Sequence, residues 1–176
     1  MAARQSSIVF RIPTVCLLLA CSVAHTVSQS LSKQIVTGSP LRGAALSPDG
    51  NHIITLADSS KVQAASLWNV NTGGLVREFK GHTQWLLAVT FSRDGTCALT
   101  GSEDGTAKLW EIDTGRELRS FGQTDSVGAV AISKDGRKIL TTAEIGRVVK
   151  MWDSATGALI REFKGFVDNL FALGFS

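Results

Sequence analysis

The sequence has no tyrosine, three histidines, three cysteines and no long apolar run, and each shortage removes a class of protein. His25, His52 and His82 are scattered, and no Cys/His cluster has zinc spacing, so no metal site and no cofactor are expected. No nucleophile motif and no glycine-rich phosphate loop after a strand pattern occur, so the residues point away from an enzyme. The longest apolar run, Val15 to Ala24, falls short of the roughly 20 residues a bilayer crossing needs, which excludes a membrane span of that kind. Charge of one sign is missing as well. Eighteen Lys+Arg stand against 15 Asp+Glu, a net of +3, and basic residues alternate with acids in Arg77-Glu78, Arg116-Glu117 and Arg161-Glu162. Without a clustered basic stripe, no nucleic-acid partner is expected.

What the sequence does contain is a repeat. Trp68, Trp110 and Trp152 stand 42 residues apart, and the pairs Thr72-Gly73, Thr114-Gly115 and Thr156-Gly157 keep that spacing, as do Phe79, Phe121 and Phe163. A fixed period shared by several residue types marks a repeat architecture, in which each unit buries its apolar face against its neighbours. The middle unit predicts four short strands: Trp85 to Phe91, Thr96 to Gly101, Thr106 to Trp110 and Arg116 to Phe121. The near-continuous apolar run of the first predicts an innermost strand covered on both faces. Asp49-Gly50, Asp94-Gly95 and Asp135-Gly136 lie between apolar runs and predict type I′ or related tight turns in the first hairpins, where glycine accepts positive φ. The Thr-Gly pairs mark the turn from third to fourth strand.

Ahead of the repeats, residues 1–24 read as a secretory signal: Arg4 and Arg11, then the apolar run, then small residues at Ser22-Val23-Ala24. Leu18-Leu19-Ala20-Cys21 also resembles the lipobox of bacterial lipoproteins, which would end the signal at about residue 20 and lipidate Cys21. Residues 25–38 follow as a linker. The expectation is a secreted or periplasmic, cell-envelope protein, with a cytoplasmic location as the alternative. Cys16 and Cys21 belong to this leader, leaving Cys97 with no intramolecular partner and the character of a small strand residue rather than a nucleophile.

The segments LSPDG…SLWNV, FSRDGTCALTGSEDGTAKLWEI and ISKDGRKILTTAEIGRVVKMWDS resemble WD repeats over about residues 35–176. Trp152-Asp153 keeps the eponymous dipeptide, Trp68-Asn69 and Trp110-Glu111 vary it, and Gly81-His82 keeps the Gly-His pair. The resemblance implies an all-β fold of β-propeller blades, each a four-stranded antiparallel sheet, in an incomplete propeller. The arc is expected over 39–176, about three blades plus the first strand of a further one, as a fragment of a longer protein or an arc closing by self-association through its open blade edges. It also implies a hydrogen-bonded tetrad in the middle unit, His82, Thr100, Asp104 and Trp110. The outer units place Gln123 and Phe166 where the histidine would stand and lack the tetrad.

In such propellers the top face binds proteins or peptides. The matching positions are Gln84, Trp85, Asp125, Ser126, Asp168 and Asn169, with Arg42 and Leu87 just inside the channel mouth. The resulting expectation is an exported, non-catalytic interaction scaffold with a protein or peptide partner. The alternative is the regulatory or substrate-binding propeller portion of a larger enzyme.

Overall fold

The computed structural model describes residues 41–57, 63–123, 125–143, 148–165 and 173–175. The expected signal and linker, and the long connection through Asp58 to Val62, lie outside them. Period-2 apolar patterns bounded by turn residues give twelve strands. These are β1 (Leu41–Leu46), β2 (His52–Ala57), β3 (Ala64–Asn69), β4 (Leu75–Lys80), β5 (Leu86–Phe91), β6 (Cys97–Ser102), β7 (Thr106–Glu111), β8 (Glu117–Gly122), β9 (Val127–Ile132), β10 (Lys138–Ala143), β11 (Val148–Asp153) and β12 (Leu159–Phe163). They form three four-stranded antiparallel sheets in sequence order: blade 1 from β1–β4, blade 2 from β5–β8 and blade 3 from β9–β12. The class is all-β, with no helix among the described residues. The middle strands fall within about a residue of the sequence expectation.

The core lies between blades rather than within them. Ile54, Leu56, Leu67 and Phe79 of blade 1 pack against Leu86, Ala98 and Trp110 of blade 2. Leu99, Ala107 and Phe121 on the other face of blade 2 pack against Val127, Ile139 and Trp152 of blade 3. Fully burying such a side chain stabilises by about 1.5–3 kcal/mol, so each blade draws most of its stability from its neighbour. Close approach is built in: a Cβ on Gly101 of β6 would lie 2.7 Å from the Val127 carbonyl oxygen of β9.

One local expectation is revised. The strand with the deepest burial is β6, whereas β5 is half-buried along most of its length. The reason is geometric: β5 is the inner edge strand of its sheet, while β6 has β5 and β7 beside it and neighbouring blades on both faces. The first hairpins keep the expected tight turn with glycine at positive φ, in a related form longer than a two-residue type I′ loop. Gly50 N–H donates to the Ser47 carbonyl at 2.9 Å, and Gly95 and Gly136 repeat this with Ser92 and Ser133. The serine hydroxyl two residues before each aspartate donates to it, Ser47 to Asp49 at 2.5 Å and Ser92 to Asp94 at 2.6 Å. The same aspartate then accepts a backbone N–H two residues on, from Asn51, Thr96 or Arg137. These bonds to the charged form hold Asp49 down to about 2, with Ser47 the largest contributor.

Candidate functional site

The turn before β5 carries His82 into the seam between blades. It is buried, as is Thr100 on β6. His82 Nδ1 lies 2.8 Å from Asp104 Oδ2, and His82 Nε2 lies 2.8 Å from Thr100 Oγ1. Trp110 Nε1–H on β7 donates to Thr100 Oγ1 at 2.8 Å. Burial pushes the His82 ring below its ordinary value, outweighing Asp104 beside it. A neutral ring with the proton on Nδ1 satisfies everything: Nδ1–H donates to the carboxylate, Nε2 accepts the Thr100 hydroxyl, and the threonine oxygen accepts the indole. For Asp104, burial works upward, but the Thr106 hydroxyl, the Thr83 N–H and His82 together hold it below the ordinary carboxylate range.

This arrangement offers no catalysis. Thr100 Oγ1 is committed to the histidine and the indole and is fully buried, so no substrate carbonyl can reach it. No group of three or more His, Cys, Asp or Glu side chains able to hold a metal ion occurs among the described residues. Cys97 on β6 is half-buried, and burial raises its thiol, which disfavours the reactive thiolate.

The outer blades keep half of the network. Trp68 Nε1–H donates to Thr55 at 2.8 Å in blade 1, and Trp152 Nε1–H to Thr141 at 2.8 Å in blade 3. Gln123, standing where a histidine would, donates its amide to both the Thr141 hydroxyl and the Thr141 carbonyl, while its Oε1 finds no partner among the described residues. Sequence reasoning missed Thr55 and Thr141. The signal was present, a threonine 10 to 13 residues before each tryptophan, but the variable spacing concealed it.

At the rim, the structure brings Arg42 and Trp85 together across the boundary between blades 1 and 2, with the guanidinium carbon 4.0 Å from the indole centroid. Trp85 remains 37% exposed. Gln84 is exposed beside it, Leu87 is half-buried one step inward, and Asp125 and Ser126 are half-buried ahead of β9. Asp168 and Asn169 lie outside the described residues.

Radially ordered four-stranded sheets, joined by apolar seams and a buried His-Thr-Asp-Trp network, define a chain of β-propeller blades. Comparison with known proteins carries this further. The family model described as WD domain, G-beta repeat matches residues 73–111 and 115–153. The chain therefore carries WD repeats at these two positions. Each matched unit runs from the outermost strand of one blade through the third strand of the next, β4 to β7 and then β8 to β11.

Relatives include the COMPASS component SWD3 of Saccharomyces cerevisiae, 28% identical over 138 residues, covering 78% of this chain and 42% of that protein. The small ribosomal subunit protein RACK1 of Caenorhabditis elegans is 30% identical over 112 residues, covering 64% of this chain and 33% of the relative. THO complex subunit 6 of Arabidopsis thaliana is 28% identical over 116 residues, covering 64% and 31%. The chain thus spans less than half the length of each. A solved structure, "Structure of U3-55K", superposes with a TM-score of 0.68 at 22% identity, over 75% of this chain and 41% of that one, and shares the fold.

The relatives correct the expectation of export. A THO complex subunit, a COMPASS component and a ribosomal protein point to a cytoplasmic or nuclear location, not to secretion. The composition of residues 1–24 does not decide location: about ten apolar residues behind two arginines are necessary for a signal but do not specify that they are used as one.

Proposed function

We propose that this chain is a non-catalytic scaffold that presents its Trp85 rim to a protein or peptide partner inside a larger assembly. The observation that carries the reading is the Arg42–Trp85 pair: an indole more than a third exposed, held by a stacked guanidinium contributed by a different blade. Tryptophan and arginine are among the side chains over-represented at binding hot spots. A pair fixed before the partner arrives loses less conformational freedom on binding. The relatives support the scaffold class, since two are named as parts of complexes and one as a ribosomal subunit protein. The His82 network serves the rim indirectly, by locking the turn that leads into Gln84 and Trp85.

Affinity purification with quantitative mass spectrometry tests the reading. Proteins recovered with the wild-type chain should fall about tenfold or more with Trp85→Ala, the loss expected of a hot-spot tryptophan. A folded Trp85→Ala chain that recovers the same proteins in the same amounts overturns the assignment of the rim.

A further inference from the structure

Three of the four tryptophans recur with the repeat because each closes the same bond in its own blade, Trp68 to Thr55, Trp110 to Thr100 and Trp152 to Thr141. Trp85 does not recur. Its counterpart ahead of β9 is Ser126, and the counterparts of Arg42 on β5 and β9 are Leu87 and Gly128. The architecture of the repeat therefore does not account for the Arg42–Trp85 stack, which is confined to one seam.

Directly opposite Trp85 stands Glu103. The Glu103 N–H donates to the Trp85 carbonyl at 2.9 Å, one step beyond the Leu86–Ser102 pair of β5 and β6. Residues facing each other across such an antiparallel bond project their side chains to the same face, with Cβ atoms about 5 Å apart. Glu103 is half-buried, and its carboxylate makes no hydrogen bond or ion pair among the described residues. Its neighbour Asp104 differs: His82, Thr83 and Thr106 engage both of that carboxylate's oxygens. Arg42 lies over the indole instead of pairing with Glu103. A carboxylate partly withdrawn from water and left unpaired favours any cation that can reach it.

We infer that the rim takes an arginine side chain of the partner protein, its guanidinium stacking on the open part of the Trp85 ring and forking onto the Glu103 carboxylate. The inference rests on the Trp85 rim being the contact surface, and adds what the partner presents there. Trp85 is 37% exposed, so ring surface remains beside that covered by Arg42. An acidic segment would meet the like charge of Glu103, which is costly once water is excluded. An apolar side chain would cover the indole but leave the carboxylate buried without a partner. A lysine ammonium would meet the charge as a point, whereas the planar guanidinium serves ring and carboxylate together. Glu103 also offsets the repulsion between the incoming guanidinium and Arg42.

Fluorine NMR of the full chain labelled with fluorotryptophan gives one signal per indole, and Trp85→Phe assigns the one at the rim. Nα-acetyl-arginine methylamide should shift that signal saturably and leave the other three in place. The corresponding lysine amide should bind more weakly, and the glutamate amide should not move the signal. Glu103→Gln should weaken arginine binding about tenfold, as loss of a charge-assisted hydrogen bond does, while Glu103→Asp keeps the charge and recovers part of it. An unmoved Trp85 signal, an equal or stronger response to lysine or glutamate, or a Glu103→Gln chain that binds like wild type would overturn the proposal. Affinity purification separates this inference from the reading it rests on. Partners lost with Trp85→Ala but kept with Glu103→Gln leave the rim standing and remove the arginine; partners kept with both remove the rim as well.

Discussion

His82 is the one side chain whose protonation state decides whether the central network holds together. Its ring is kept neutral by burial, below its ordinary value of 6.5. An unfolded chain therefore takes up a proton that the folded chain refuses, so the contribution of His82 is full above about pH 6.5 and drains as pH falls below it. Asp104 behaves in a lower window, because its depressed value preserves its contribution above its ordinary 3.8 and loses it in stronger acid. At pH 8, His82→Ala should cost roughly 1–3 kcal/mol by removing the two buried bonds the ring makes to Asp104 and Thr100, measured by urea denaturation. The gap between wild type and variant should narrow as pH falls below 6.5. A gap independent of pH would mean the ring is not held neutral. The four residues of this network were nameable from sequence because histidine, threonine, aspartate and tryptophan stand at family positions in a single unit. The remnants at Thr55 and Thr141 were not, because a lone threonine in a strand carries no polar partner in sequence to announce it.

Among the elements, the turns carry the repeat more faithfully than the strands. The Asp-Gly and Thr-Gly pairs were legible because positive φ leaves few choices of residue, whereas the serine that braces each first hairpin lies two positions away and was passed over. The arginine staple between blades, in which Arg77 donates to the Asp113 and Thr114 carbonyls and Arg119 to that of Thr156, was invisible for a different reason. Arg77 and Arg119 keep the 42-residue period, but an arginine beside a glutamate reads as a surface pair, and only the packing of blades reveals that the guanidinium crosses to another sheet. Two glycines separate the cost of backbone conformation from the cost of occupied space. Gly136→Ala, at φ 71° with nothing within 4 Å of the new Cβ, should cost about 1–2 kcal/mol in melting experiments. Gly115→Ala has nearly the same φ but would drive Arg77 out of place, 2.6 Å away, and should cost clearly more. Equal losses would show that the staple contributes nothing.

For the molecule as a whole, stability should rise toward the middle blade. β6 and β7 are buried against neighbours on both faces, while the described residues of β12 are mostly exposed. Amide hydrogen exchange should therefore be slowest in β6 and β7 and fastest in β12 and β4, since local opening costs least where few apolar contacts are lost. Uniform protection across the three blades would contradict a core seated in the seams. The architecture was legible because its period is written in tryptophan, threonine-glycine and phenylalanine at once. Location was not, because a short apolar run has many uses and its composition names none of them. The offset between sequence unit and blade has a consequence for descent. Each matched unit contributes the last strand of one sheet and the first three of the next, so an in-frame tandem copy of residues 115–153 begins by completing a sheet that already exists. A lineage can thus gain or shed units by unequal crossing-over, changing the circumference of its ring while inheriting every joint unaltered.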